Sequence, residues 1–261
     1  MSRRPLIAGN WKMHKTPQEA QDFIERFLSF SCDGFDCDVL VIPPFTSLDR
    51  AGKCLLESSV FLGAQDMHPA ASGAYTGAIS ANMLKSCQCS FVLAGHSERR
   101  HVFGDTNVVV NEKLQAALSN DLRPILCVGE TLEEREADRT ESVLEEQLAG
   151  GLKDVSELDL AHVVIAYEPV WAIGTGKTAT TEQAQDTIAF IRAWIETRYS
   201  ETASEAMRIL YGGSVNPANA KSLQAQPDID GALIGGASLD PDSFAQIIAE
   251  AMSLQGDDDP C

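Results

Sequence analysis

Short apolar segments rich in β-branched residues alternate along the chain with longer segments whose apolar residues recur every three or four positions. The first pattern is typical of buried strands and the second of amphipathic helices. The clearest helical spacing lies at 18–30, 131–149 and 181–198. The alternation repeats eight times and predicts strands at 5–10, 37–42, 60–64, 90–94, 123–127, 162–166, 208–211 and 230–234.

Eight consecutive strand–helix units favour a closed barrel over an open doubly wound sheet, which more often has about five or six strands. No linker interrupts the units. We therefore predict one α/β domain over residues 1–255, a single (β/α)8 barrel with eight parallel strands and an outer ring of helices. The acidic residues at 256–261 are expected to form a disordered tail. In such a barrel the functional side chains follow the carboxyl ends of the strands.

The formal net charge of −18 argues against nucleic acid and anionic membranes as partners. A small anionic ligand remains compatible, because salt screens distant charges beyond roughly 8 Å. No apolar run approaches the ~20 residues that cross a bilayer, and the N-terminus lacks a signal-peptide pattern. Seven cysteines without a C-x-x-C pair are typical of free thiols in a reducing compartment. We therefore expect a cytoplasmic protein.

Polar residues follow the first and fourth predicted strands. Asn10 and Lys12 alternate around a tryptophan, which directs both side chains the same way. Taken alone this is weak evidence, and a surface lysine is the favoured explanation of Lys12. His96 lies at the start of a short predicted helix, where the helix field disfavours the imidazolium. A loop histidine bonded to a neighbour is the alternative for that position. The five histidines show no metal-ligand spacing, so we expect no metal site.

The run AYEPVWAIGTGK at 166–177 places Glu168 at the end of the sixth strand, where it could abstract a proton. Pro169 stiffens one end of the segment that follows, and glycines permit unusual backbone angles near the other. The apolar residues between them would cover a bound ligand, as a lid does. GTGKTA inside this run resembles nucleotide-binding motifs, but it begins eight residues past the strand and lacks the first P-loop glycine.

Two Gly-Gly pairs follow the seventh and eighth strands, at 212–213 and 235–236, and Ser214 follows the first pair. Glycine lets backbone N–H groups approach an anion, and these two loops are the usual phosphate-binding loops of such barrels. Two ordinary turns would give the same residues. The pairing on adjacent late strands favours an anion site.

With these residues assembled, the chain resembles the triosephosphate isomerase family over essentially its whole length. The motifs occur in the order and at the spacing of that family, and they are AGNWKM at 8–13, PPF at 43–45, AGHSERR at 94–100, CVGETLEERE at 127–136, AYEPVWAIGTGK at 166–177, YGGSV at 211–215 and IGGASL at 234–239. The resemblance implies a TIM barrel that interconverts dihydroxyacetone phosphate and D-glyceraldehyde 3-phosphate through an enediol or enediolate. It also implies a place in glycolysis and gluconeogenesis, and no cofactor.

The resemblance also assigns roles to residues of this chain. Glu168 matches the base that moves a proton between adjacent carbons, and His96 matches the neutral electrophile that polarises the carbonyl. Lys12 matches the ammonium that offsets developing negative charge, and Asn10 matches a donor beside it. The phosphate clamp is matched by Gly174, Ser214, Gly235 and Gly236. By the same resemblance, supporting positions are expected at Glu98 beside Lys12, at Cys127 under Glu168, and at Tyr211, which together with Ser214 would hold a closed lid.

The segment at 65–80, QDMHPAASGAYTGAIS, resembles the dimer-forming loop of the family, and implies a homodimer in which Thr76 reaches the neighbouring site. This chain departs from the family at Asp66, where asparagine is common, and at Ala78, where glutamate is usual. Individual interface contacts therefore do not carry over.

Two other functions compete with this interpretation. One is a phosphate-binding barrel isomerase that acts on a larger sugar or amino-sugar phosphate, against which the short chain and the lid sequence argue. The other is a non-catalytic sugar-phosphate sensor on the same fold. A sensor would be expected to lack Glu168, His96 or Lys12, and all three are present.

Overall fold

Eight parallel strands form a closed barrel in which each strand pairs with the next and the eighth pairs with the first. The structure is a computed structural model and describes residues 3–30, 35–173 and 178–253. The strands are β1 Leu6–Asn10, β2 Asp38–Ile42, β3 Phe61–Ala64, β4 Phe91–Ala94, β5 Arg123–Val128, β6 Val164–Tyr167, β7 Arg208–Tyr211 and β8 Gly231–Ile234. All eight predicted strands are confirmed, and so is the (β/α)8 architecture.

Helices surround the barrel. Within the described ranges they are α1 Pro17–Leu28, α2 Leu48–Leu55, α3 Ala81–Ser86, α4 Ser97–His101, α5 Asn107–Leu118, α6 Leu132–Glu136, α7 Thr140–Gly151, α8 Glu157–Leu160, α9 Thr181–Arg198, α10 Glu201–Ala206, α11 Pro217–Gln224 and α12 Pro241–Met252. None of these described helices is both long enough and apolar enough to cross a membrane.

The single helix predicted at 131–149 is wrong, because the segment forms α6 and α7 with a break between them. Thr131 begins α6 with a capping box in which Glu134 takes part. Asp138 has a φ of 54°, and a residue in this left-handed conformation ends a right-handed helix. The segment contains no glycine or proline at the break, so its apolar spacing alone did not reveal it.

Side chains alternate between the inside and the outside of the barrel along each strand. The inside is a closed apolar cluster to which β1 contributes Leu6 and Ala8, β5 contributes Ile125 and Cys127, and β6 contributes Val164 and Ala166. Ile7 and the other outward residues pack beneath the helices in a second, larger cluster. The alternation therefore determines which residue just past a strand end points into the barrel mouth.

Gly231 opens β8 at the opposite end of the barrel from the strand ends discussed below. Its φ is +135°, which side chains rarely adopt, and a Cβ there would overlap the backbone carbonyl of Leu6 in β1. The N–H of Leu6 donates to the carbonyl of Asp230 across the same junction. Closure of the barrel between β8 and β1 therefore requires glycine at this position.

We expect Gly231→Ala to lower the free energy of unfolding by at least about 3 kcal/mol, because backbone strain and overlap add. Gly104→Ala is the matched control. Gly104 also has a positive φ, of +79°, but a Cβ there would meet nothing within 4 Å. Gly104→Ala should lower the free energy of unfolding by only about 1 kcal/mol. Urea unfolding of both variants measures the difference, and equal losses would contradict the close-approach explanation.

Candidate active site

At the carboxyl ends of several strands, the position two residues beyond the last inward-facing apolar residue is polar or glycine. Asn10 follows Ala8 in this way, and Glu168 follows Ala166. Gly212 and Gly235 follow inward residues of β7 and β8 in the same register. A cavity of about 410 Å³ opens here, and it is lined by Asn10, Lys12, His96, Glu168, Gly212, Gly213, Ser214, Gly235 and Gly236, among others.

The structure thus brings together every predicted site residue that it describes. Gly174, which the resemblance assigned to the phosphate clamp, lies outside the described residues, as do Lys177 and the predicted tail. Part of the predicted lid is described. Val170–Ala172 form a short 3-10 turn directly after Pro169, and Ala172 and Ile173 line the cavity.

Glu168 is a buried carboxylate, with 2% of its surface exposed. Its Oε2 accepts the backbone N–H of Ser97 at 2.9 Å, and its Oε1 accepts the Ser97 hydroxyl at 3.3 Å. Nε2 of His96 lies 3.0 Å from Oε1. Because α4 begins at Ser97, the carboxylate is bound at the N-terminal end of that helix.

These contacts set the pKa of Glu168. Burial alone would raise it, because a carboxylate loses solvation. The electrostatic interaction and hydrogen bond with His96, together with the Ser97 N–H, outweigh burial and hold the pKa of Glu168 below its usual value. Glu168 is therefore ionised in this arrangement. Cys127 lies below it in the barrel, where burial and the Glu168 charge raise the pKa of the thiol well above the ordinary value.

His96 precedes α4 as its N-cap, and Nδ1 accepts the backbone N–H of Glu98 at 3.2 Å. An accepting Nδ1 carries no proton, so the imidazole proton lies on Nε2, facing Glu168. Burial disfavours the imidazolium, but the Glu168 carboxylate more than offsets it and raises the pKa of His96. The helix field was expected to disfavour the imidazolium of His96. The Glu168 carboxylate acts in the opposite direction, so the helix field alone does not determine the pKa of His96.

Lys12 is held by both its backbone and its side chain. Its φ is +50°, and its N–H donates to Oδ1 of Asn10 at 3.0 Å. Its carbonyl accepts Nε2 of Gln65 at 2.8 Å, and its ammonium lies 2.7 Å from Oε1 of Glu98. The contact with Glu98 confirms the expected pairing. Gln65, at the start of the loop at 65–80, is a supporting residue that the sequence had not indicated.

The loops at 212–215 and 235–237 face the cavity together, and we call them the anion cup. Within the described residues, the backbone N–H groups of Ser214, Gly235 and Gly236 donate to no protein acceptor. Such groups attract an anion without carrying a formal charge. The cup therefore offers several donors in a protein whose net charge is −18.

Glu130 is a second buried carboxylate that the sequence did not single out. Its Oε1 accepts the indole N–H of Trp171 at 2.8 Å, the hydroxyl of Tyr167 at 3.1 Å and Arg135 at 2.9 Å. The Arg135 guanidinium also stacks over the Trp171 ring at 4.6 Å. These bonds hold the start of the predicted lid in its described position. Its position two residues past the end of β5, in the motif CVGETLEERE, was the available signal.

Two glycines allow the close packing of backbone around Glu168. A Cβ at Gly129 would overlap the carbonyl of Glu168, and one at Gly212 would lie 2.8 Å from its Cγ. The N–H of Glu168 donates to Val128 at 2.8 Å, so β5 and β6 stay paired up to this point. The position of the Glu168 carboxylate thus depends on the absence of side chains at Gly129 and Gly212, which follow the neighbouring strands β5 and β7.

No group of histidine, cysteine and carboxylate side chains suited to a metal ion occurs among the described residues. Among the residues that the structure describes, Cys54, Cys87, Cys89 and Cys127 are free thiols.

A (β/α)8 barrel with a carboxylate and an imidazole at the carboxyl ends of its strands, opposite unpaired backbone donors, defines an acid–base enzyme that binds an anionic substrate. The family model described as "Triosephosphate isomerase" matches residues 5–251. The chain belongs to the triosephosphate isomerase family.

Curated relatives bear the same name. The chain is 52% identical to triosephosphate isomerase of Moorella thermoacetica and 50% identical to that of Geobacter metallireducens, each over 246 residues, 94% of this chain and 98% of the relative. It is 49% identical to the Rhodopirellula baltica protein over 253 residues, 97% of this chain and 100% of the relative.

We expect Glu168→Gln to lower the pKa of His96, because the amide removes the negative charge that stabilises the imidazolium while burial remains. Glu98→Gln should lower it less, because Glu98 is a smaller cause of the raised pKa and its side chain is 46% exposed to screening solvent. Imidazole nitrogen NMR across a pH titration measures both shifts. An unchanged or raised pKa in Glu168→Gln would refute the coupling.

Proposed function

We propose that this chain interconverts dihydroxyacetone phosphate and D-glyceraldehyde 3-phosphate by proton transfer through an enediol or enediolate, with Glu168 and His96 as the reacting groups. The observation that carries the proposal is that the buried Glu168–His96 pair and the anion cup share one cavity. The reaction would serve glycolysis and gluconeogenesis. A cytoplasmic location is supported by the free thiols.

Glu168 acts as the base after it changes partners. Both of its oxygens are occupied by Ser97 and His96, so the carboxylate must leave these donors to reach a substrate carbon. The same contacts lower its pKa, and burial raises it. Release from them inside a closed, dry cavity therefore increases its basicity at the moment when it meets the substrate.

His96 donates from Nε2 to the substrate oxygens. Because Nδ1 accepts the Glu98 N–H, the tautomer is fixed with the proton on the nitrogen that faces the cavity. Once Glu168 turns towards the substrate, its carboxylate no longer accepts the hydrogen bond from Nε2 of His96. A neutral imidazole then polarises the carbonyl and returns a proton to the enediolate oxygen.

Lys12 and Asn10 supply charge and a hydrogen bond next to the reacting oxygens. The left-handed backbone of Lys12, held by Asn10 and Gln65, directs its ammonium into the cavity. An ammonium placed before the reaction begins stabilises the negative charge that develops, without the cost of reorganising solvent.

The substrate phosphoryl group binds in the anion cup through Ser214, Gly235 and Gly236, with Gly174 contributing from the lid. Binding energy from this non-reacting group can hold the lid closed over Glu168. Tyr211 supports this role. Its hydroxyl is buried and has no hydrogen-bond partner among the described residues, so a closed lid could bond to it.

Glu168→Gln is expected to fold normally and to lose ~10²–10⁴-fold or more in kcat, because the amide cannot accept the proton. A coupled spectrophotometric assay with D-glyceraldehyde 3-phosphate measures the loss, and circular dichroism verifies folding. Glu201→Gln, on the outer helix α10, should keep the parent rate. Parent-like kcat in Glu168→Gln would reject the mechanism. A parent inactive on triose phosphates would favour an isomerase of larger sugars or a sensor.

We propose that the chain forms a homodimer through the loop at 65–80, with Thr76 reaching the neighbouring site. Tyr75, in this loop, is 52% exposed. Met13 is 93% exposed and directly follows Lys12, whose carbonyl accepts a hydrogen bond from Gln65 of the loop. A pair of exposed apolar residues in connected segments is typical of an interface, whereas a single one is common on any protein surface. The carboxylate of Asp66 accepts a hydrogen bond from Lys113 of its own subunit at 2.6 Å.

Met13→Asp should shift the protein towards monomer, because a carboxylate cannot be buried unpaired in an interface. Leu158→Asp is the matched control, since Leu158 is 86% exposed on α8, away from the loop. Light scattering and sedimentation measure the mass, and kcat is measured on the same samples. A parent that is fully active as a monomer at assay concentration would reject the need for a dimer.

A further inference from the structure

The anion cup works only if its peptide groups present N–H rather than C=O to the bound anion. Each peptide carries both groups on opposite sides, and a carbonyl oxygen directed at a phosphoryl group would repel it. Gly235 and Gly236 lack side chains, so packing restrains their peptides little. Some other contact must hold the carbonyl side of each loop away from the cavity.

Asn219 provides such a contact for the loop after β7. Its Nδ2 donates to the carbonyl of Ser214 at 3.0 Å, and its Oδ1 accepts the N–H of Asn216 at 2.8 Å. One amide therefore joins two backbone groups on either side of residue 215. Asn216 instead uses Oδ1 to accept the N–H of Ala218 at 2.9 Å and caps α11.

Ser238 provides the corresponding contact for the loop after β8. Its side chain is fully buried, and its hydroxyl lies 2.7 Å from the carbonyl of Gly235 and 3.1 Å from that of Ile234. The backbone N–H of Ser238 donates to the same Gly235 carbonyl at 2.9 Å. Gly9 in β1 makes room for it, since a Cβ there would come within 3.0 Å of the Ser238 side chain.

We infer that Asn219 and Ser238 are positioning residues for phosphate binding, which hold the carbonyls of Ser214 and Gly235. The N–H groups on the other side of the same two peptides are those of Val215 and Gly236, which donate to no protein acceptor within the described residues, and they are thereby kept directed at the anion. The inference rests on the proposed function, in that the cup binds the substrate phosphoryl group. It adds two residues outside the lining of the cavity. A helix cap or a buried serine without this role would stabilise the fold but leave anion affinity unchanged.

The expected signature is a loss of affinity for any ligand that binds through phosphate. If a released carbonyl lets its peptide turn, only a fraction of molecules remains competent, and apparent affinity falls by that fraction. The inhibition constant of inorganic phosphate and the KM for triose phosphate should then rise by the same factor. Loss of one such hydrogen bond corresponds to about tenfold.

The decisive variant is Asn219→Asp, which can still accept the Asn216 N–H but cannot donate to Ser214. The added carboxylate itself weakens anion binding, so Asn216→Asp is the matched control. It adds the same charge at a residue that lines the cavity and can still accept from Ala218. Because Asn216 lines the cavity and Asn219 does not, the added charge weakens anion binding at least as much in the control. We expect the inhibition constant of inorganic phosphate to be higher in Asn219→Asp than in Asn216→Asp by up to about tenfold, an excess that the charge does not supply.

Ser238→Ala tests the second loop without a change of charge. Ser204→Ala is its control, because Ser204 is also a buried serine whose hydroxyl donates to a backbone carbonyl, that of Arg192 at 3.1 Å. Ser238→Ala should raise the inhibition constant several-fold, less than Asn219→Asp, because the backbone donor to Gly235 remains. Ser204→Ala should bind phosphate as the parent does.

Equal inhibition constants within each variant–control pair would overturn the inference and leave both residues as structural. That result is distinct from failure of the proposed function. A parent that does not isomerise triose phosphates, or in which inorganic phosphate does not compete with them, would remove the role of the cup itself. Circular dichroism and urea unfolding of each variant verify that the affinities belong to folded protein.

Discussion

Closure of the parallel sheet allows each strand residue only two directions, into the barrel or out towards the helices. The inside is apolar along the strands, so the inward positions at the strand ends or just beyond them form its mouth. Asn10 and Glu168 occupy two of these positions, and glycines occupy several others. The chemistry therefore depends on strand register, since a shift of one residue would turn Glu168 outward.

In the mechanism that we propose, the contact between Glu168 and α4 keeps the base bound to protein donors until a substrate enters the cavity. Ser97 and His96 bind the carboxylate and lower its pKa, while burial acts against them. A small rotation thus changes the basicity of Glu168 and frees the donor of His96 together. The lid adjoins this pair directly, because only Pro169 separates Glu168 from the turn that Glu130 holds through Trp171.

The fold was predictable because each strand is a short apolar run and each unit repeats the same order. The site was predictable where a residue lies in the strand register, as Asn10 and Glu168 do, or in a motif, as His96 does. Contacts between distant parts of the chain could not be predicted from the sequence. Nothing local indicates that Gln65 binds the Lys12 carbonyl, or that Asp138 adopts a left-handed conformation and divides one expected helix.

Gly129 and Gly212 leave no room beside Glu168 for even one methyl group. On these two sides Glu168 therefore packs against main chain, which no point substitution can trim. A change in the position of this carboxylate would require a shift of the backbone after β5 or β7, whereas the parts of the cavity that side chains line, such as those of Ile173 and Leu233, can be reshaped by single substitutions.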